Sequence, residues 1–252
     1  MTDPALPTPE AHPQLDQLIA VLAQLRAPGG CAWDAEQTHE SLTRYLVEEA
    51  HELIDAIEHG THDDVLEELG DVLYQVLFHA DIAAASTDYA FTIEDVAARS
   101  TAKMIGRHPH VFGDARADTA DAVAANWETW KRQEKPARTS VLDGVPAGLP
   151  ALQRAEKLLG KAQVLGVSPA TGASELRPDG VAAITSFDEL PPPAPADEHE
   201  LGQRLLALVA AGAAHGLEAE RALRMALREL EQSIRHAEAT GRATTPDSDL
   251  VY

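Results

Sequence analysis

The sequence is poor in what usually cross-links or anchors a small core. Of 252 residues one is a cysteine, Cys31, and only 4% are aromatic. A single thiol excludes an intrachain disulfide framework and suits a reducing cytoplasm. Positive charge is also scarce: 20 lysines and arginines stand against 41 aspartates and glutamates, a formal net charge of -21. Such a field repels phosphate polymers and anionic bilayers, so a general binder of nucleic acid or membrane is not expected. A nucleotide ligand needs only local cations or a bound metal and stays possible. No apolar run approaches the length of a membrane-spanning helix. The Pro-rich, acidic start "MTDPALPTPEAHPQ" lacks the basic and apolar regions of a secretory leader. Alternation of period two, the mark of strands, is almost missing, so the expected class is all-α.

What is present is helical spacing. Leu15, Leu18, Ile19, Leu22 and Leu25 predict a helix over about 14–26 that stops at "APGG". "CAWDAEQTHESL" reads as a loop, followed by helices near 40–59, 62–85, 92–106 and 119–135, with a break at Pro109. The helical pattern pauses at "EKPARTSVLDGVPAGLP" and returns over 150–166, 198–214 and 217–239. The expected division is a first domain over 14–135, a linker over 136–149, and a second helical repeat over 150–240 with a Pro-rich insert near 167–197.

Two of these helices are unusually acidic for segments so apolar. In "YLVEEAHELIDAI" (45–57), Leu46, Ala50, Leu53 and Ile57 predict a buried stripe, with Glu49 and Glu52 on its flank and Glu48 further round. In "VLEELGDVLYQVL" (65–77), Glu68 and Asp71 are again three apart on a helix that is apolar nearly all round, so burial on several sides is expected. Buried carboxylates need cations. Lysine or arginine could serve, but neither segment contains one. A hard divalent ion such as Mg²⁺, which takes oxygen ligands, would serve better. The alternative is a solvated acidic face, the common fate of Glu-Glu-x-x-Glu on its own. His51, His59, His62 and His79 are near in sequence but do not have the spacing of a zinc set. Gly70, inside the second helix, suggests close approach of another helix or a ligand.

"EEAHE" (48–52) followed by "ELGD" (68–71) resembles the EExxE…ExxD signature of MazG-type nucleoside triphosphate pyrophosphohydrolases. "GGCAWDAEQTHESL" (29–42), "RHPHVFGD" (107–114), "NWETWKRQEK" (126–135) and "LDGVPAGLPALQRAEKLLGKAQVLG" (142–166) are similar to collinear segments of two-repeat bacterial MazG. The resemblance implies a helical bundle of two tandem repeats that pairs as a homodimer. It implies Mg²⁺-dependent hydrolysis of a nucleoside triphosphate to the monophosphate and pyrophosphate, clearing ordinary or aberrant nucleotides, with Mn²⁺ as a substitute ion. It places Glu49, Glu52, Glu68 and Asp71 at the metal, Glu48 or Glu49 as general base, and Lys103, Arg107, Trp127, Lys131 and Trp33 at the substrate. Gly106 stands where relatives often have a second arginine. Read without the resemblance, Trp33 and Trp127 fit a core or interface anchor equally, and Lys103 and Arg107 fit a solvated helix face. Two other functions are compatible: a narrower phosphohydrolase acting on dUTP, dCTP or a phosphoribosyl nucleotide, and a non-catalytic regulatory or interaction module.

The second half departs from this pattern. "ELGQRLLALV" (200–209) repeats "ELGDVLYQVL" (68–77), but Gln203 stands in place of Asp71, and Glu229, Gln232 and Ser233 occupy the cationic positions. The first acidic helix has no counterpart before residue 197. A degenerate repeat that keeps its packing and loses its chemistry is expected, with the active site in the first half.

Overall fold

Threonines start the long helices. Thr38, Thr61 and Thr92 each accept a hydrogen bond from the backbone N–H three residues on, and Ser41, Asp64 and Asp95 bond back to the threonine N–H. Such reciprocal caps satisfy donors that a helix N-terminus leaves open. The computed structural model describes residues 11–134, 140–167 and 195–239, and among these every regular element is a helix. The expected N-terminal arm and Pro-rich insert fall largely outside the described residues.

The chain divides into two units, 1–136 and 137–252. The first contains α1 (Pro13–Arg26), α2 (Ala32–Glu36), α3 (His39–His59), α4 (His62–Ala84), α5 (Ile93–Arg107), α6 (Pro109–Phe112) and α7 (Ala120–Glu134). The second contains α8 (Ala151–Val164), α9 (Glu198–Ala214) and α10 (Ala219–Ala239), which pack on one another around Val209. Expected helix ends agree with these to within two residues. The segment expected as a loop holds the short α2, a helix too brief for periodicity to reveal and dependent on tertiary contacts. At Pro109 the chain restarts as α6, with proline in the first turn where its missing N–H costs nothing.

In the first unit, α3 and α4 are joined by Gly60 and Thr61 and pack side by side, with α1 and α5 also laid on α4. Leu22, Leu42, Leu77 and Phe78 form the core, flanked by Leu18, Ile19, Tyr45, Tyr74, Ile82 and Ile93. The "APGG" turn after α1 needs both glycines. Gly29 has φ +85°, and a Cβ on Gly30 would lie 2.3 Å from the Leu25 carbonyl oxygen.

The buried faces differ from those expected. On α3 the inward line runs through Leu42, Tyr45, Glu49, Leu53 and Ala56, all buried or half-buried, while Leu46 and Ala50 are exposed and Ile57 is 63% exposed. On α4, Leu77 and Phe78 are buried, but Leu66, Leu69, Leu73 and Val76 are exposed, Leu66 at 71%. Apolar residues on several sides of a helix do not say which side its neighbours will take. A Cβ on Gly70 would meet nothing within 4 Å, so among the described residues no helix approaches it closely.

Candidate functional site

The inward line of α3 carries Glu49 to α4, where Glu68 and Asp71 project from successive turns. One carboxylate oxygen from each of Glu49, Glu68 and Asp71 lies within 4.8 Å of the other two, an arrangement able to hold a metal ion. Glu49 and Glu68 are half-buried and Asp71 is exposed. The Oε2 of Glu68 is shielded from solvent and has no hydrogen-bond partner. Burial, then the charges of Asp71 and Glu52, raises the proton affinity of Glu49. Glu52 also comes within hydrogen-bonding reach of the Glu49 carboxyl. Burial, then Glu52 and Asp71, raises Glu68 likewise. No basic side chain is among the groups that shift either glutamate. An all-oxygen, mutually repelling set with a sheltered lone oxygen fits a hard cation.

Of the other expected site residues, Glu52 lies beside the cluster and the rest form separate local groups. Glu48 and Glu52 are exposed on α3. Lys103 and Arg107 are half-buried, one turn apart on α5, which packs against α4, α6 and α7. The Arg107 guanidinium lies 5.7 Å from the ring centroid of Trp127, and His108 meets the same indole edge-on at 5.5 Å. Lys131 is on α7, and its side chain is outside the described residues. Trp33 of α2 is 50% exposed and meets the Tyr45 ring edge-on at 5.7 Å. Tyr45 in turn is one turn before Glu49 on the same inward line of α3.

Sequence reasoning missed the polar network that fixes α2. The Arg26 Nε donates to Asp81 Oδ2 at 2.6 Å, its Nη1 donates to the Asp34 carbonyl oxygen at 2.5 Å, and the guanidinium lies over Phe78 at 5.0 Å. Asp34 is buried, and its side chain hydrogen-bonds the Tyr74 hydroxyl, whose proton affinity is raised by burial and then by Asp34. Arg26 and Asp81 are 55 residues apart, so no local pattern pairs them. The weak local signal is a lone arginine at the end of an apolar helix, which also serves as an ordinary C-terminal charge.

The counterpart of Glu68 in the second unit is in a different environment. Glu200 Oε1 accepts from Arg204 Nη2 at 2.5 Å, and its Oε2 accepts from the Ala196 N–H at 2.7 Å. The Ala196 bond first, and then Arg204, lower its proton affinity. This glutamate is neutralised within its own helix and caps the start of α9.

The profile of the MazG nucleotide pyrophosphohydrolase domain matches residues 37–112, the span from α3 to α6. The chain is 36% identical over 238 residues to the nucleoside triphosphate pyrophosphohydrolase of Escherichia coli K12, covering 89% of this chain and 87% of that protein. It is 40% identical over 225 residues to an uncharacterized 26.1 kDa protein of Streptomyces cacaoi, covering 89% and 83%. A third relative, the nucleoside triphosphate pyrophosphohydrolase/pyrophosphatase MazG of Thermotoga maritima, is 45% identical over 158 residues, covering 62% of this chain and 60% of its own length. The crystal structure of a MazG-related protein from Thermotoga maritima is similar at TM-score 0.39 and 24% identity, covering 46% of this chain and 98% of that one. Identity at this level across nearly the whole chain shows that it belongs to the MazG nucleotide pyrophosphohydrolase family.

Proposed function

We propose that this chain hydrolyses nucleoside triphosphates to the monophosphate and pyrophosphate, with Mg²⁺ held by Glu49, Glu68 and Asp71 and with Glu52 beside them. The observation that carries this reading is the sheltered, partnerless Glu68 Oε2 within a cluster of carboxylates. Such a group is costly unless a cation meets it. When bound, the ion neutralises carboxylates and phosphates and lowers the pKa of a coordinated water; Mn²⁺ suits the same oxygen donors. Glu49, whose carboxyl faces the other acids of the cluster, is the better placed of the two candidate bases. Glu48 is the neighbouring acid on the exposed side of α3.

Lys103 and Arg107 are the cations that would grip the phosphates of the substrate. Contact with Trp127 restricts the Arg107 guanidinium, so less side-chain freedom is lost when it binds. Lys131 on α7 and the half-exposed Trp33 complete the proposed substrate set. Pyrophosphate and nucleoside monophosphate should appear in equal amounts from a panel of ordinary and modified triphosphates, only when Mg²⁺ or Mn²⁺ is supplied. Orthophosphate as the product, or turnover in excess chelator, would overturn the reading. A strong preference for dUTP or dCTP in the same panel would establish the narrower enzyme instead.

The pairing partner we propose is a second copy of the chain. Leu66, Leu69, Leu73 and Val76 recur at helical spacing along one exposed side of α4. The same register recurs on α9, where Leu201, Leu205 and Leu208 are exposed and Val209 is buried like Leu77. A stripe retained in both repeats while Gln203 replaces Asp71 in one fits an interface. Leu69→Lys should therefore halve the mass measured by light scattering, and an unchanged mass would place the interface elsewhere.

A further inference from the structure

We propose that His39 and His79 share one proton as a clamp that sets the register of α3 against α4 and so positions the acid cluster for its metal. This rests on the metal-dependent reading above. His39 is the first residue of α3 and His79 lies in the last third of α4. Their Nδ1 atoms are 2.7 Å apart, their ring planes differ by 3°, and their centroids are 5.0 Å apart. The centroid separation exceeds the nitrogen gap by about two ring radii, so the rings meet edge to edge in one plane rather than face to face.

That geometry has one chemical solution at neutral pH. Two Nδ1–H groups would repel and two bare nitrogens would have nothing between them. One ring therefore carries its proton on Nδ1 and donates, while the other accepts there and carries its proton on Nε2. A shared metal is a poor fit. Two imidazoles on one zinc, with Zn–N bonds of about 2.0–2.1 Å, aim at a common point; these nitrogens aim at each other.

The clamp and the acid cluster cross-link the same two helices. At about 1.5 Å per residue, His39 is roughly 15 Å from Glu49 along α3, and His79 is roughly 12–16 Å from Asp71 and Glu68 along α4. The spans match in an antiparallel pair, so one register satisfies both cross-links. Apolar contacts between the helices tolerate small slides; a hydrogen bond of this length does not.

Few groups face the pair. His39 faces His79 from α3, and the Tyr89 ring lies 6.1 Å from His39. Burial first, and then His39, lowers the proton affinity of His79, and no charged group of α1 or α5 is among the causes. The sign follows from linkage. His79 in the folded chain takes up its proton at lower pH than in the unfolded chain. The clamp's contribution is complete above the ordinary histidine value of about 6.5 and is lost as pH falls through the lowered one. Protonation of the acceptor's Nδ1 turns it into a second donor and breaks the bond, whereas a proton added on the donor's Nε2 leaves it in place.

The test uses the full chain. Nitrogen-15 NMR of the histidine rings at pH 7.5, assigned with His39→Gln and His79→Gln, should show one Nδ1–H and one Nε2–H tautomer in the pair. In thermal shift titrations, either variant should need about 10-fold more Mg²⁺ for half-stabilisation, the scale typical of groups that orient metal ligands. The wild-type loss of Mg²⁺ affinity below about pH 6.5 should become shallower in both variants. Two rings with the same tautomer overturn the clamp, and so do variants with wild-type Mg²⁺ affinity and pH profile. If neither variant folds, the wild-type tautomers decide. A chain with the tautomer pair and the Mg²⁺ linkage but no pyrophosphate release would fail as an enzyme and leave the clamp standing.

Discussion

Glu68→Gln is expected to lower Mg²⁺-dependent pyrophosphate release by on the order of 10²-fold, the scale of removing one electrostatic partner from a reacting centre. The same substitution should raise the thermal midpoint of the metal-free protein by a few degrees, on the order expected for a small stability gain in a chain of this size. The two effects have one cause. Burial and the charges of Glu52 and Asp71 raise the proton affinity of Glu68, so its ionised form weakens the fold until a cation arrives. Glutamine keeps the shape and removes the charge. The stabilisation that Mg²⁺ confers on the wild type should shrink correspondingly, as binding linkage requires. Calorimetry with and without chelator reads this directly. A variant that loses thermal stability while keeping its activity would show that Glu68 is a structural residue rather than a ligand.

Phe78→Ala should cost about 3–5 kcal/mol, because it leaves a cavity at a fully buried core position. Phe78 touches more than apolar neighbours. Its ring lies under the Arg26 guanidinium and meets Tyr74 edge-on at 5.7 Å. Losing it loosens Arg26, which ties α1 to Asp81 of α4 and to the α2 backbone. The expected readout is a lower urea midpoint together with greater mobility of Trp33, measured by fluorescence anisotropy. Phe78→Leu, which fills most of the volume, should recover most of the stability. If Phe78→Ala leaves the urea midpoint unchanged, the core is not where the structure puts it.

Much of this architecture was legible because helix signals are local. The glycines after α1 and apolar spacing act within a few residues, and the longer helices they predict match those observed. The acid pairs were legible for the same reason, since a three-residue interval puts two side chains on adjacent turns whatever surrounds the helix. Glu49 meets Glu68 and Asp71 only because α3 packs beside α4. The contrast between Asp71 and Gln203 also has a structural counterpart, for Glu200 is paired with Arg204 where Glu68 has no cation.

Residue spacing alone determined the helical class, where the longer helices begin and end to within two residues, and that two of them carry acids on successive turns. Tertiary structure decided how those helices are turned. The α3 stripe was expected at Leu46, Ala50, Leu53 and Ile57, yet of these only Leu53 lies on the inward line, which runs through Leu42, Tyr45, Glu49, Leu53 and Ala56. On α4 the apolar residues divide between a core side and an exposed side. A helix that is apolar on several faces has no local reason to prefer one, and only the neighbours that pack on it choose. Arg26 with Asp81, and His39 with His79, were invisible for the same reason. Each partner is an ordinary polar residue until the packing of two helices brings it to the other, and the free energy of that meeting belongs to the packing, not to any short stretch of chain.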